Sequence, residues 1–475
     1  MAFAAALAVG FPLTAAAQRP NIIIFLMDDM GYGDVGAYNA DSKIPTPALD
    51  RLAAEGMRFT DAHSPSSVCT PTRYGLMTGR YAWRSRLKEG VLWGYDRALI
   101  EPGRLTLPSL LRRAGYATAG LGKWHLGLGE AERVDYTQPL IPGPATQGFD
   151  YFFGIPASLD MDPYVYVRND RAEAPPTVKD AGSGACCTGP FWRPGAAAAG
   201  FKPIDVLPRI TEHAVKYVGE RSKTRQPFFL YVAFASPHTP WVPADAYRGR
   251  SGAGDYGDFM AQTDASIGRV LDALDRHKMA DNTLVIATSD NGAYWRPAEI
   301  AQYGHRSNAA WRGMKADIYE AGHRVPFIAR YGQRVPRGST SAALIMLTDV
   351  MATAASIVGV ALPKDAAEDS FDFSPVLFGK PNAPEPREAA VHHAQNGMFA
   401  IRQGPWKLIE GLGSGGFTAP REVKPGPDDP PGQLFNLVDD PAETTNVYGS
   451  NPEVVKRLRL LLGRYKQATR TRPAS

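Results

Sequence analysis

Three residue groups in this 475-residue chain have the types and spacing to do chemistry. The first is Ser67-Val68-Cys69-Thr70-Pro71-Thr72-Arg73. Pro71 suits the first turn of a helix that would run to about Thr78. Cys69 would then sit just before a helix N-terminus, where unpaired backbone N–H groups and the dipole favour an anion. Arg73 follows one turn later on the same face, within reach of an anionic oxygen at position 69. The pattern describes an activated cysteine beside an anion site, although a lone free cysteine is more often a buried, inert one.

The second group is Asp28-Asp29 with Asp290-Asn291. Each pair follows an apolar β-branched run, and ligands of open α/β sheets bind outside the carboxyl ends of strands. Three carboxylates and an amide oxygen are a hard donor set, suited to Ca²⁺ or Mg²⁺. Acidic residues after strands also serve as caps and turn formers, so neither pair alone establishes a metal centre. The third group, Lys123, His125, His238 and Lys315, is scattered. Singly, each is compatible with a surface lysine or a satisfied structural histidine.

The elements that must position these groups read as an α/β fold. Asn21–Met27, Ala117–Gly122, Phe228–Phe234, Thr283–Thr288 and Val325–Ala329 are the strand-like runs, and NIIIFLM is apolar throughout, as expected for a strand covered on both faces. Pro47–Glu55, Leu107–Ala114 and Phe259–His277 read as helices, the first with Thr46 as N-cap. Alternation of strands and helices predicts a mostly parallel central sheet sandwiched by helices over residues 18–380. Glu130–Asp205, rich in Pro, Ala and Gly, reads as long surface loops near the site. Beyond the linker Pro381–Pro386, short strands near Ala389–His393, Met398–Arg402 and Trp406–Glu410 and a helix near Pro452–Thr469 predict a small C-terminal antiparallel sheet with one helix, residues 381–475.

At this point Cys69-Thr70-Pro71-Thr72-Arg73 resembles the Cys-x-Pro-x-Arg motif of the formylglycine-dependent sulfatases, the arylsulfatase type of the alkaline phosphatase superfamily. Leu76–Arg80, Gly122-Lys123-Trp124-His125-Leu126-Gly127, Ser236-Pro237-His238-Thr239-Pro240, Ser289-Asp290-Asn291-Gly292, Gly313-Met314-Lys315 and Glu320–Pro326 also resemble that family, in its order. So does Leu434-Phe435-Asn436-Leu437 with Asp440-Pro441-Ala442-Glu443, which extends the likeness over about residues 20 to 470. Thr72 stands where Ser or Ala is commoner, and Ala321 where Gly is. The resemblance implies sulfate-ester hydrolysis by Cys69 after a formylglycine-generating enzyme converts it to an aldehyde. It implies Asp28, Asp29, Asp290, Asn291 and the modified Cys69 as ligands of a divalent cation, Ca²⁺ ahead of Mg²⁺. Arg73 would stabilise the nucleophile, Lys123 and Lys315 the sulfate oxygens. His125 would act as base, and His238 with Lys315 as acid toward the leaving alcohol. His305, Arg306 and Arg312 are candidates for contact with a sulfated sugar.

The bulk numbers narrow the class. Hydrophobic residues make up 44% and charged residues 21%, and the formal charge is +4 with no dense basic block, so nucleic-acid binding is not indicated. Residues 1–17 read as a secretory signal peptide, with an apolar run Phe3–Leu13 and Ala15-Ala16-Ala17 before Gln18, though without a basic start; a periplasmic or secreted protein is expected. No other run is long and apolar enough to span a membrane. Adjacent Cys186 and Cys187, about 3.8 Å apart across a trans peptide, fall short of the usual disulfide separation, so free thiols or an intermolecular link are expected. Two further readings stay open: a phosphate or phosphonate ester hydrolase of the same superfamily, and a non-catalytic glycan-binding protein with unmodified Cys69.

Overall fold

The computed structural model describes residues 19–473; the expected signal peptide lies outside the described residues. A ten-stranded mixed sheet forms the centre, with Asn21–Asp28 hydrogen-bonded between Phe228–Pro237 and Thr283–Ser289, parallel to both. Ala117–Lys123 and then Tyr151–Ile155 extend it in parallel on one side. On the other side, Phe327–Arg330 runs antiparallel to Thr283–Ser289 and to Met57–Phe59.

Alternate residues of the central strand feed opposite cores, as a strand's two-residue repeat requires. Ile23, Phe25 and Met27 pack with helices Pro47–Glu55, Pro203–Arg221 and Gly254–Arg276. Ile22, Ile24 and Leu26 pack with helices Cys69–Thr78, Leu107–Arg113 and Val350–Val358. Both faces are therefore covered by helices, and the strand is buried along its whole length.

Register then sets the chemistry. Asp28 lies opposite Pro237 and Met27 opposite Ser289, while Ala233 pairs with Gly122 one strand further. At about 4.8 Å between strands, the four chain segments leave the sheet together at its carboxyl edge. Asp28-Asp29, Lys123, His238 and Asp290-Asn291 emerge side by side.

Part of the Glu130–Asp205 expectation is corrected. Tyr151–Ile155 is a strand of the main sheet, and Pro203–Arg221 is a 19-residue helix that begins inside the segment. Pro208 lies within the helix, a residue that argues against a helix in sequence. The expectation for Cys186 and Cys187 is also corrected. Their sulfurs are paired with each other within the chain, Cα atoms 3.1 Å apart. Among the described residues no helix is long and apolar enough to cross a membrane.

Near the C-terminus, Ala390–His393, Phe399–Gln403, Trp406–Ile409 and Gln433–Asn436 form a four-stranded antiparallel sheet. Helix Pro452–Gln467 covers it with Val455, Leu458, Leu461, Leu462 and Tyr465, and the shared core takes in Tyr81, Trp83, Leu344 and Met346 of the main body. A buried polar seam also joins the two parts. Lys407 Nζ meets Glu443 at 2.8 Å, Glu320 at 3.1 Å and His323 Nε2 at 3.0 Å. His63 Nδ1 lies 3.0 Å from His323 Nδ1, and His63 Nε2 donates to Asp61 at 2.8 Å. His392 stacks on His323, ring centres 3.8 Å apart and planes 8° from parallel. Imidazole lone pairs lie in the ring plane, so one ion cannot sit in both planes; the stacked pair is a structural contact.

Burial, reinforced by neighbouring His and Lys407, pushes His323 and His392 well below the ordinary imidazole value, and burial lowers His63. An unfolded His takes up a proton near pH 6.5. As pH falls through that value the unfolded chain gains three protons that the folded seam refuses, so stability drops as the solution is acidified. Calorimetric melting should show Tm falling as pH drops from 7.5 to 5, the lowered histidines outweighing the opposite effect of the raised carboxyls of Asp264, Asp290 and Glu443; a Tm that rises on acidification across that window would contradict the neutral seam.

Candidate active site

Helix Cys69–Thr78 opens at Cys69 itself, with Val68 as N-cap, so the cysteine is one residue further into the helix than the sequence reading placed it. Cys69 is buried and free, and its Sγ lies 3.5 Å from Asp28 Oδ1. Arg73, one turn on, is fully buried and sends Nε and Nη2 to Asp290 Oδ2 at 3.0 and 2.7 Å and Nη1 to the Lys123 carbonyl at 3.1 Å. The predicted same-face placement therefore ties the cysteine's helix to two strand ends.

The three aspartates each meet a cation. Lys123 Nζ donates to Asp28 Oδ2 and to Ser158 Oγ, both at 2.6 Å. Lys315 Nζ reaches Asp29 Oδ1 at 2.7 Å and Oδ2 at 2.8 Å, and Arg73 holds Asp290. Burial alone would raise the Asp28 carboxyl, but Lys123, His238, Arg73 and Lys315 hold it well below the usual carboxylate range. Burial and the adjacent Asp28 push Asp290 up to about 6, still ionised at neutral pH. Burial opposes the charge on Lys315, yet Asp29 raises its pKa. Three buried negative charges thus face three buried positive ones.

Two site residues sit in the left-handed backbone region, Asp29 at φ 64° and His125 at φ 56°. Such conformations are uncommon outside glycine and persist where the surroundings over-determine them. The surroundings here include the Tyr256 hydroxyl 3.0 Å from the Asp29 carbonyl. Gly292 follows Asn291 because a Cβ there would collide with the Ala321 carbonyl.

The donor set fits a hard divalent cation. Asn291 Nδ2 donates to Asp29 Oδ1 at 2.7 Å and to the Gly292 carbonyl at 3.0 Å, which leaves Asn291 Oδ1 buried without a partner. An unpartnered amide oxygen among three carboxylates suits an oxygen-seeking divalent ion. Asp28, Asp29, Cys69 and His238 also present ligand atoms within 4.8 Å of one another.

The histidine tautomers follow from their partners. His125 Nε2 lies 2.7 Å from the Leu92 carbonyl, so Nε2 carries the hydrogen, and Nδ1 is left as a buried lone pair with no donor. Burial, with Lys123 and Arg73 adding to it, keeps this ring well below the ordinary value and hence neutral. His238 Nδ1 donates to the Thr239 carbonyl at 2.6 Å, which leaves Nε2 facing Asp29 Oδ2 at 3.7 Å.

A cavity of about 240 Å³ opens over this cluster, with Asp29, Cys69, His125, His238 and Lys315 in its floor. Trp93, Ser158, Asp160, Arg193, Tyr294, Gln395 and Phe417 also line it, with Arg193 over the Trp93 ring and Phe417 edge-on to Tyr294. Sequence reasoning passed over these residues, since Ser158, Asp160 and Arg193 lie in the aperiodic segment and no motif marks them. His305, Arg306 and Arg312 are not brought to the cavity. His305 is buried behind it, donating to Asp34 at 2.8 Å. Arg306 is exposed, and Arg312 lies over the Tyr319 ring and donates to the Glu443 carbonyl.

Comparison with known proteins places this geometry. The family model described as Sulfatase matches residues 20–360. An N-acetylgalactosamine-6-O-sulfatase of Bacteroides thetaiotaomicron is 36% identical, over 94% of this chain and 93% of the relative. Human arylsulfatase A is 33% identical, over 96% and 89%. A solved structure described with glycosaminoglycan metabolism by Bacteroides thetaiotaomicron matches with a TM-score of 0.85 at 34% identity, over 95% of this chain and all of that one.

Burial first, then the neighbouring Asp290, pushes the Cys69 thiol far above its ordinary value, so the unmodified side chain is a neutral thiol and a poor nucleophile. In chain left unmatured, iodoacetamide at pH 8 should label native Cys69 at least about tenfold more slowly than Cys69 in urea-unfolded chain, where the thiol pKa is about 8.5. Equal rates would contradict the buried setting.

Proposed function

Because the chain belongs to the sulfatase family and is a sulfuric ester hydrolase, we propose that it desulfates a carbohydrate through a formylglycine made from Cys69, with a divalent cation at Asp28, Asp29, Asp290 and Asn291. The observation that carries this reading is the convergence of those four oxygen-bearing side chains on buried Cys69, opposite Lys123 and Lys315. Hydrated formylglycine supplies two hydroxyls, one to take up sulfate and one to release it, and a bound Ca²⁺ or Mg²⁺ lowers the cost of ionising the first.

The protein's own groups divide the remaining work. Three aspartates and three cations cancel, so a divalent ion leaves two positive charges, which a sulfate monoester and an ionised nucleophile balance. Arg73 holds Asp290 in place and lies near the side chain at 69. Lys123 and Lys315, each hydrogen-bonded to a metal-site carboxylate, are placed to bind sulfate oxygens as charge builds. His125 Nδ1, neutral and unpartnered, takes the proton from the second hydroxyl. His238 Nε2, with Lys315 beside it, hands a proton to the departing alcohol.

The relatives' names support a sulfated sugar substrate. The N-terminal segment supports export to the periplasm or medium, where a formylglycine-generating enzyme is the maturation partner. The runner-up, a phosphate or phosphonate ester hydrolase, would use the same metal and nucleophile.

Protein co-expressed with a formylglycine-generating enzyme should yield, by peptide mass spectrometry over residues 67–73, an aldehyde in place of the Cys69 thiol. It should cleave a sulfate ester faster than the phosphate ester of the same alcohol, and Lys315→Ala should lower kcat/KM by about 10²–10³-fold. Full activity with Cys69 intact, or preference for phosphate, would refute the proposal.

A further inference from the structure

Two acceptor atoms in the cavity wall have no partner within the folded chain: Asp160 Oδ1 and Gln395 Oε1. Asp160 is 4% exposed. Its other oxygen pairs with Arg193 Nη1, and its carbonyl accepts from Arg193 Nη1 at 3.2 Å and from the Arg193 amide at 3.3 Å. Oδ1 is 4.0 Å from His238 Nδ1, beyond hydrogen-bond range, and that nitrogen's hydrogen already goes to Thr239. A buried carboxylate oxygen without a donor is destabilising unless a ligand supplies one.

The positions of the two atoms' residues indicate which part of a ligand they meet. Asp160 stands behind the His238 ring, whose far nitrogen faces Asp29. It therefore stands on the Nδ1 side of that ring, one imidazole width from Asp29 and the charged floor. Gln395 also lines the cavity, its backbone N–H donating to the Ala316 carbonyl at 3.0 Å, next to Lys315. Around them the surface is aromatic. Trp93 is 48% exposed, Phe417 is 45% exposed, and Phe417 packs edge-on against Tyr294 at 5.4 Å. Buried acceptors set among aromatic rings suit a pyranose, which offers C–H faces to the rings and hydroxyl hydrogens to the acceptors. A flat aryl alcohol has no donors to give.

We propose that Asp160 Oδ1 and Gln395 Oε1 form a sugar subsite that reads free hydroxyl or amide N–H donors on the ring bearing the sulfate. The proposal rests on the sulfatase reading of the same cavity. It makes the wall selective for a hydroxylated ring over an aryl group, because a site with buried polar groups rejects a substrate that leaves them unpaired.

The test uses matured full-length enzyme with N-acetylgalactosamine 6-sulfate, its 3-deoxy and 4-deoxy analogues, and 4-nitrophenyl sulfate. Wild type should favour the intact sugar over at least one deoxy analogue by about tenfold or more in kcat/KM. In Asp160→Ala or Gln395→Ala that ratio should fall to within about twofold of unity, whatever the variant's absolute rate. Should Asp160→Ala fail to fold, Asp160→Leu, close in shape and without an acceptor, and Gln395→Ala carry the same ratio. Equal turnover of intact and deoxy sugars by wild type would overturn the proposal, as would discrimination that survives in both variants. A shifted pH profile with unchanged discrimination in Asp160→Ala would make Asp160 a support for His238 and also overturn it. Hydrolysis of none of the sulfate esters would instead refute the underlying function.

Discussion

Three ionised aspartates are held at the carboxyl edge of a buried sheet, and most of the molecule can be understood as the means of holding them. Bringing carboxylates together without water is costly, and unpaired buried charges would neutralise or unfold the site. The cost is offset by Arg73, Lys123 and Lys315, each delivered by a different element and each bonded to a different aspartate. Loss of any one cation would leave its partner charged and buried. Such a balanced cluster contributes little net stability, but it specifies one arrangement and keeps a place where a further double positive charge and two negative ones can enter together.

The framework of that cluster is legible from sequence for a physical reason. Asn21–Met27 and Thr283–Thr288 are apolar on both faces, so they belong to the covered centre of the sheet, and acids directly after them lie at its edge. Pro71 and the four-residue step to Arg73 likewise announce the helix that presents Cys69. What could not be read lies where local pattern carries no information. Ser158, Asp160 and Arg193 stand in a Pro- and Gly-rich stretch whose course is set by tertiary contacts. Helix Pro203–Arg221 hides behind an internal proline. Gln433–Asn436 becomes a strand only because Trp406–Ile409 offers it an edge. His305 looks like a substrate ligand from its neighbourhood in sequence, yet its ring is spent on Asp34, which also accepts from the Tyr256 hydroxyl beneath Asp29. Proximity along the chain and proximity to the cavity diverge there.

The C-terminal sheet has a share in the site as well. Gln395 and Phe417 complete the cavity wall, while Lys407, deep in the same sheet, anchors Glu320 a few residues beyond Lys315. The catalytic edge supplies reacting groups from strand ends, and the loops and the second sheet supply the shape above them. This division matches the general separation between a rigid scaffold and variable binding loops.

The aspartate cluster and the unpartnered Asn291 oxygen together offer the donor set of one cation site. Isothermal titration of Ca²⁺ into metal-stripped, full-length protein tests it most directly. One bound ion per chain is expected, with affinity reduced at least about tenfold in Asn291→Ala through loss of a ligand oxygen. Absence of binding, or binding of equal strength in that variant, would contradict it.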